Sequence, residues 1–275
     1  MPSSPKPSGP RRRADSLIAM AVSPSTPPEP FYLLGEQFAI DLPGSHVVFT
    51  TRRGGVSQGP YASLNLGRLT PDEPEAVQRN RDTLEAELGV ALSFVRQVHG
   101  SQVCHVTPES ASRARSGDPG ELTRADGQIT ADRGVAPTVL TADCLPVAIA
   151  GDGAVAMVHA GWRGLHKGVI AAGVQALRDL GATGALSAAI GPGAGPCCYE
   201  VGTEVHEAFA GFPEKVHRGR NVDLGAIARH ELQRAGVRDI HHLAVCTICS
   251  DPGLLFSHRR DHGVTGRQAG IAWLS

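Results

Sequence analysis

Residues 138–164 read TVLTADCLPVAIAGDGAVAMVHAGWRG. Two apolar runs, 145–150 and 154–158, flank Gly151-Asp152-Gly153. Asp-Gly between apolar runs signals a β-hairpin closed by a two-residue type I′ turn. If Asp152-Gly153 makes the turn, His159 faces Pro146 and Cys144 is its diagonal neighbour. If Gly151-Asp152 makes it, Cys144 faces His159 directly. Both registers project the thiol and the imidazole from one face at the open end of the hairpin, where cross-strand neighbours can converge on one ion. A three-residue turn would place them on opposite faces.

A converging thiolate and imidazole suit Zn²⁺, a borderline-soft ion that takes N and S ligands. A catalytic zinc site needs three protein ligands and one open position. Spacing leaves the third open: His99 in VRQVHGSQV comes first, with His105 and His166 as competitors. Without a metal, Cys144 is a small buried hydrophobe and His159 a satisfied polar group.

Further along the chain, strands are expected at 46–51, 94–106, 137–150, 186–190, 240–248 and 269–274. Helices are expected at 72–88, 165–180, 202–210 and 223–235. The first carries Val77, Leu84 and Leu88 on one face and stops at Gly89; the last opens on Asp223 as N-cap. Residues 107–124 read as a polar surface loop. Strands and helices alternate irregularly, so the expected class is α+β with mixed sheets. Residues 31–275 read as one domain. No GxGxxG or P-loop pattern occurs.

The chain has 275 residues and a formal net charge of −1, which argues against a nucleic-acid-binding surface. A small anion needs only a few local arginines. Six cysteines in a chain able to build a large core need not be disulfide staples, so reduced thiols and a cytoplasmic location are expected. No apolar run is long enough to span a membrane. Residues 1–30 hold eight prolines and Arg11-Arg12-Arg13 and are expected to be disordered. The apolar stretch 17–22 is too short for an export signal, and Met20 offers a second candidate start.

Seven segments resemble one family in order: TTRRGGVSQGPYASLNLG (50–67), RQVHG (96–100), ADG (125–127), TADCLPV (141–147), VHAGWRG (158–164), AIGPGAGPCCYEVG (189–202) and FSHRRDHGVTGR (256–267). This is the laccase-domain, or multicopper polyphenol oxidase-like, family, also described as peptidoglycan editing factors and as purine nucleoside phosphorylases. The resemblance implies a layered sandwich of mixed β-sheets flanked by helices. It implies zinc, with copper as the alternative, on His99, Cys144 and His159. It also implies phosphorolysis of adenosine, inosine and methylthioadenosine, with adenosine deamination as a side activity. The chain departs from the family at Gly191-Pro192-Gly193, where a cysteine is frequent in place of Gly193.

Phosphorolysis requires a held phosphate and an oriented ribose. Arg52, Arg163 and Arg259 are candidates for phosphate, and Asn65 for a ribose hydroxyl. Asp143, on the opposite strand face from Cys144, reads as a carboxylate that supports the site from behind or holds structure rather than as a general base, and Trp162 as core or a purine-stacking ring. Cys246-x-x-Cys249 sits at a strand end, not a helix start, and no second CxxC completes a four-cysteine site, so neither a redox nor a metal role is expected. His258-x-x-x-His262 falls among glycines and reads as a loop. The competing functions are a Cys–His hydrolase using Cys144, an editing factor acting on peptidoglycan precursors, and a copper oxidase. The last lacks any His-x-His pair. A monomer or small homo-oligomer with a nucleoside and phosphate as its only partners completes the expectation.

Overall fold

The computed structural model describes residues 26–116 and 121–275. The disorder expected for residues 1–30 lies outside the described residues as far as residue 25; residues 26–30 are described, with Pro27 buried and a turn at 29–30. Two six-stranded mixed sheets stack face to face. The first contains, in spatial order, β1 (Tyr32–Leu34), β2 (Gln37–Leu42), β3 (Ser45–Phe49), β14 (Gln268–Leu274), β7 (Val135–Thr141) and β4 (Ala91–Ser93). The second contains β13 (Asp239–His242), β10 (Ser187–Ile190), β8 (Leu145–Gly151), β9 (Ala154–Ala160), β6 (Gly127–Thr130) and β5 (Val103–His105). Three pairs are parallel (β4 with β7, β10 with β13, β5 with β6), and the other ladders are antiparallel. A short hairpin, β11 (His217–Arg218) with β12 (Asn221–Val222), lies apart.

Three apolar layers hold the sandwich. Between the sheets, Phe38, Phe49 and Val139 meet Ala148, Val155 and Met157. Outside the first sheet, α1 (Pro74–Leu88) seats Leu84 against Val48 and Ile271. Outside the second, α3 (Trp162–His166), α4 (Val169–Asp179) and α6 (Leu224–Arg234) cover Val147, Ile149 and Val158. Strands β8 and β9 are buried along their whole length, so they read as continuous apolar runs rather than as alternation. Each fully buried Leu, Ile or Val stabilises the fold by about 1.5–3 kcal/mol relative to exposure. A last helix, α5 (Thr203–Ala208), precedes the β11–β12 hairpin. No helix among the described residues is long and apolar enough to cross a membrane.

The hairpin forms in the first of its two registers. Pro146 pairs with His159, and Gly151 with Ala154 across Asp152-Gly153. The turn type differs from expectation. Gly153 takes a φ of 74° but Asp152 stays on the ordinary side, the φ pattern of a type II rather than a type I′ turn. Asp223 caps α6 by accepting the Ala226 N–H at 2.9 Å, and Gly89 ends α1 in the left-handed region.

Two expected strands are each broken, and both breaks matter. Of the run 94–106 only β5 (Val103–His105) is strand; residues 94–102 form the loop that joins it to β4, which ends at Ser93. The run 137–150 is β7 and β8, broken at 142–144. In both places the chain steps from the first sheet to the second, so neither segment can stay extended. The 240–248 strand also stops early, at His242. The expected loop 107–124 contains a helix, α2 (Pro108–Ser116). Thr107 and Ser110 cap its start reciprocally, each hydroxyl accepting the other's N–H, and Ala111 is buried beneath a polar outer face.

Candidate metal centre

Both breaks carry candidate ligands. His99 lies on the first crossing and Cys144 on the second, while His159 stands near the end of β9 on the face turned toward the first sheet. Their ligand atoms all lie within 4.8 Å of one another. Cys144 Sγ is 4.0 Å from His99 Nε2, and the two imidazoles meet edge to face with centroids 4.9 Å apart. His159 is buried, Cys144 half-buried and His99 exposed, so the cluster opens to one side. His105 is exposed on β5, and His166 points to the Ala208 carbonyl; neither joins the cluster.

One carboxylate orders both imidazoles. Asp126 Oδ1 accepts the His99 backbone N–H at 2.9 Å and lies 2.9 Å from His159 Nδ1. Its Oδ2 accepts the N–H groups of Val98 and Gly100, at 3.0 and 2.7 Å. Three consecutive amides thereby leave any strand ladder, and His99 sits at a φ of 55°. With Nδ1 directed at Asp126, His159 presents Nε2 to the cluster, the arrangement that fixes metal-binding histidines. Asp126 is fully buried. Burial would raise its carboxyl, but the bonds from His159 and Gly100 outweigh this and hold it below its ordinary value.

Without a cation, the cluster stores charge as an ion pair. Burial would push the Cys144 thiol up, but the two imidazoles bring it down to about 6. Burial would likewise depress His159, but Cys144 and Asp126 raise it to about 9. Gly161 leaves the space for this contact: a Cβ there would stand 2.8 Å from Cys144 Sγ and 3.3 Å from His99 Cδ2.

The cluster forms part of the lining of a cavity of about 460 Å³, within the usual range for small-molecule sites. Trp162, Arg163, Tyr199, Arg259 and Arg267 line it too. Arg163 stacks on Trp162 at 4.3 Å, and Arg259 lies 5.3 Å from the Tyr199 ring. Asp143, at a φ of 95°, also lines the cavity and accepts hydrogen bonds from Thr247 Oγ1, Ser257 Oγ and the Arg259 N–H.

Two expected substrate residues lie elsewhere. Arg52 does not line the cavity; its guanidinium donates to the carbonyls of Ala62, Pro252 and Pro60 and stacks on Phe256 at 4.4 Å. These three bonds fasten the surrounding loops. Asn65 is fully buried, donating to Thr70 and Asp72 and accepting from Gly67 and Arg267. These bonds use its whole amide, leaving nothing for a ribose hydroxyl. At Gly193 a Cβ would lie 2.4 Å from Leu145 Cδ2 and 3.0 Å from the Asp143 carbonyl, so a side chain there requires Leu145 to move. Asp126 had been visible only as part of ADG. Tyr199 and Arg267 belonged to quoted segments without an assigned part.

Two imidazoles and a thiol grouped so that they could hold a metal ion, beside a cavity in an α+β sandwich of two mixed sheets, set the class of protein. The chain belongs to the family described as multi-copper polyphenol oxidoreductase laccase, whose model matches residues 46–275. It is 43% identical over 250 residues to a protein of Xylella fastidiosa named purine nucleoside phosphorylase, covering 84% of this chain and 93% of that one. It is 38% identical over 236 residues to the Escherichia coli protein named purine nucleoside phosphorylase YfiH, covering 82% and 92%. Among solved structures, the Bacillus licheniformis hypothetical protein YfiH superposes with a TM-score of 0.83 at 30% identity, covering 90% of this chain and all of that one. YlmD from Geobacillus stearothermophilus superposes at 0.80 with 32% identity, covering 86% and 96%. These relatives support an enzyme of the nucleoside phosphorylase type.

Proposed function

We propose that the chain is a zinc-dependent purine nucleoside phosphorylase, converting adenosine, inosine or methylthioadenosine and phosphate into base and pentose 1-phosphate, with adenosine deamination as a side activity. The observation that carries this reading is the convergence of His99, Cys144 and His159 on a nucleoside-sized cavity rimmed by arginines. Two imidazoles and a thiolate fit zinc, and the side facing the cavity matches a catalytic site with one open position. Copper remains the alternative ion for this donor set. Bound there, zinc supplies Lewis acidity toward a phosphate oxygen or a water molecule.

The chain's own groups do the rest. Arg163, Arg259 and Arg267 bring positive charge to the cavity and hold the phosphate dianion near the sugar. Tyr199 and Trp162 offer aromatic surface to the purine. The C1′–N9 bond breaks, phosphate oxygen bonds to C1′, and the base departs with a proton. The test is phosphate-dependent release of hypoxanthine from inosine by the metal-loaded chain and by His159→Ala. Release by wild type and its loss in the variant are expected; no phosphate-dependent release by wild type overturns the assignment.

A second reading rests on Cys144, His159 and Asp126, which stand in the order of a thiol hydrolase triad. Such an enzyme acting on peptidoglycan precursors would work without metal. His99, delivered to the same sulfur by Asp126, favours the metal site, since a triad has no use for it. A copper oxidase of the trinuclear kind lacks its histidines: among the described residues, the only other ligand cluster is made of cysteines.

A further inference from the structure

The sequence offered Cys246-x-x-Cys249 without a second pair. The fold supplies one. Cys197 and Cys198, about fifty residues away in sequence, bring their sulfurs into the same cluster, and all four Sγ atoms lie within 4.8 Å of one another. Cys197 Sγ is 3.5 Å from Cys249 Sγ. A tetrahedral zinc tetrathiolate, with Zn–S near 2.3 Å, sets its sulfurs about 3.8 Å apart. The cluster is therefore already close to the size of that site.

The surroundings match a metal-holding turn. The Gly195 N–H donates to Cys246 Sγ at 3.2 Å. The Ser250 N–H closes the turn on the Cys246 carbonyl. Gly195 keeps the space clear: a Cβ there would meet Cys246 Cβ at 3.1 Å and Cys197 Sγ at 3.2 Å. The two segments already touch through the bridge between Gly193 and Cys246. All four thiols are free.

We propose that Cys197, Cys198, Cys246 and Cys249 form a second, structural zinc site, closed by four thiolates. Zn²⁺ displaces the thiol protons, and no oxidation or reduction takes place. The site fastens two loops that serve the cavity. Tyr199 follows Cys198 directly, and Thr247, next to Cys246, holds Asp143 at 2.6 Å beside Cys144. This assignment stands independently of the reaction performed at the first cluster.

The test is metal analysis of the full chain purified with zinc under reducing conditions, alongside His159→Ala and Cys197→Ser/Cys249→Ser. Two zinc ions per chain are expected in wild type and one in each variant, a different one in each case. A maleimide footprint on wild type decides the matter even if the serine variant does not fold. Zinc protects all four cysteines, and a chelator exposes them. A single zinc that disappears in His159→Ala overturns the proposal. So does iron in place of zinc, or protection released by reductant alone.

Discussion

His159 Nδ1 lies 2.9 Å from Asp126 Oδ1, and the same oxygen accepts the backbone N–H of His99. One buried carboxylate thus sets the ring of one candidate ligand and the backbone of another. It has no counterpart in the hairpin that brings Cys144 and His159 together.

Asp126→Asn is expected to lower zinc affinity at the first site by about 10–100-fold, the usual cost of losing such a partner. The amide can still accept from His99 or His159, but not with a full charge. Competition with a coloured chelator reads the change. Unchanged affinity would mean that Asp126 only folds the 98–100 loop.

The pH dependence of zinc binding follows from the ion pair. Cys144 is brought down to about 6 and His159 up to about 9. Between these values the thiolate is ready and the imidazole still carries a proton that the cation must displace. Affinity is expected to rise about tenfold per pH unit across that window and to level off above about 9. Metal-free stability should not follow. Unfolded, the pair holds its proton on the thiol, with an ordinary value of 9.0; folded, it holds one on His159. The proton count is then the same in both states over most of the window, so this pair adds no slope. Chelator competition and thermal melts at matched pH separate the two. Zinc affinity independent of pH across this window would show that neither Cys144 nor His159 holds a proton there.

Gly161→Ala should displace Cys144. The new methyl would stand 2.8 Å from Cys144 Sγ, below any normal contact. Crowding of this kind costs about 1–3 kcal/mol, and here it moves a ligand. Zinc affinity is expected to fall by more than metal-free stability does. Denaturant melts with and without zinc measure both, and an equal loss in each would place the strain outside the site.

The hairpin was legible because its signals are local: an Asp-Gly turn, two apolar runs, and side-chain parity along each strand. The same parity put Cys144 and His159 on one face without any knowledge of the other sheet. Asp126 was not legible in this way. Its partners are the amides of 98–100 and a ring on β9, contacts that exist only after the chain has crossed between sheets. Those crossings also explain the two overlong strands. At His99 and Asp143 the backbone adopts positive φ because distant groups fix the surrounding loops, and nothing in the neighbouring residues announces this. The helix at 108–116 was hidden by its polarity, having little more than Ala111 buried. The cysteine cluster required a contact between segments too far apart for any spacing rule.

Arg52 and Arg259 make the sharpest contrast between fold and function. Both are arginines in family motifs, yet Arg52 spends its guanidinium on three loop carbonyls, while Arg259 lines the cavity. Arg259 does donate through Nη1 to the Glu200 carbonyl, leaving further N–H groups for a ligand. Arg259→Ala is expected to raise KM for phosphate by about 10–100-fold, the worth of a charge-assisted hydrogen bond. Arg163→Ala should act in the same direction. Arg52→Ala should leave KM for phosphate near the wild-type value and cost about 1–3 kcal/mol of stability from the abandoned carbonyls. Phosphate-saturation kinetics and denaturant melts on the three variants form the test. A large rise in KM for Arg52→Ala with unchanged stability would return phosphate binding to the 50–67 loop and remove it from the cavity beside Cys144.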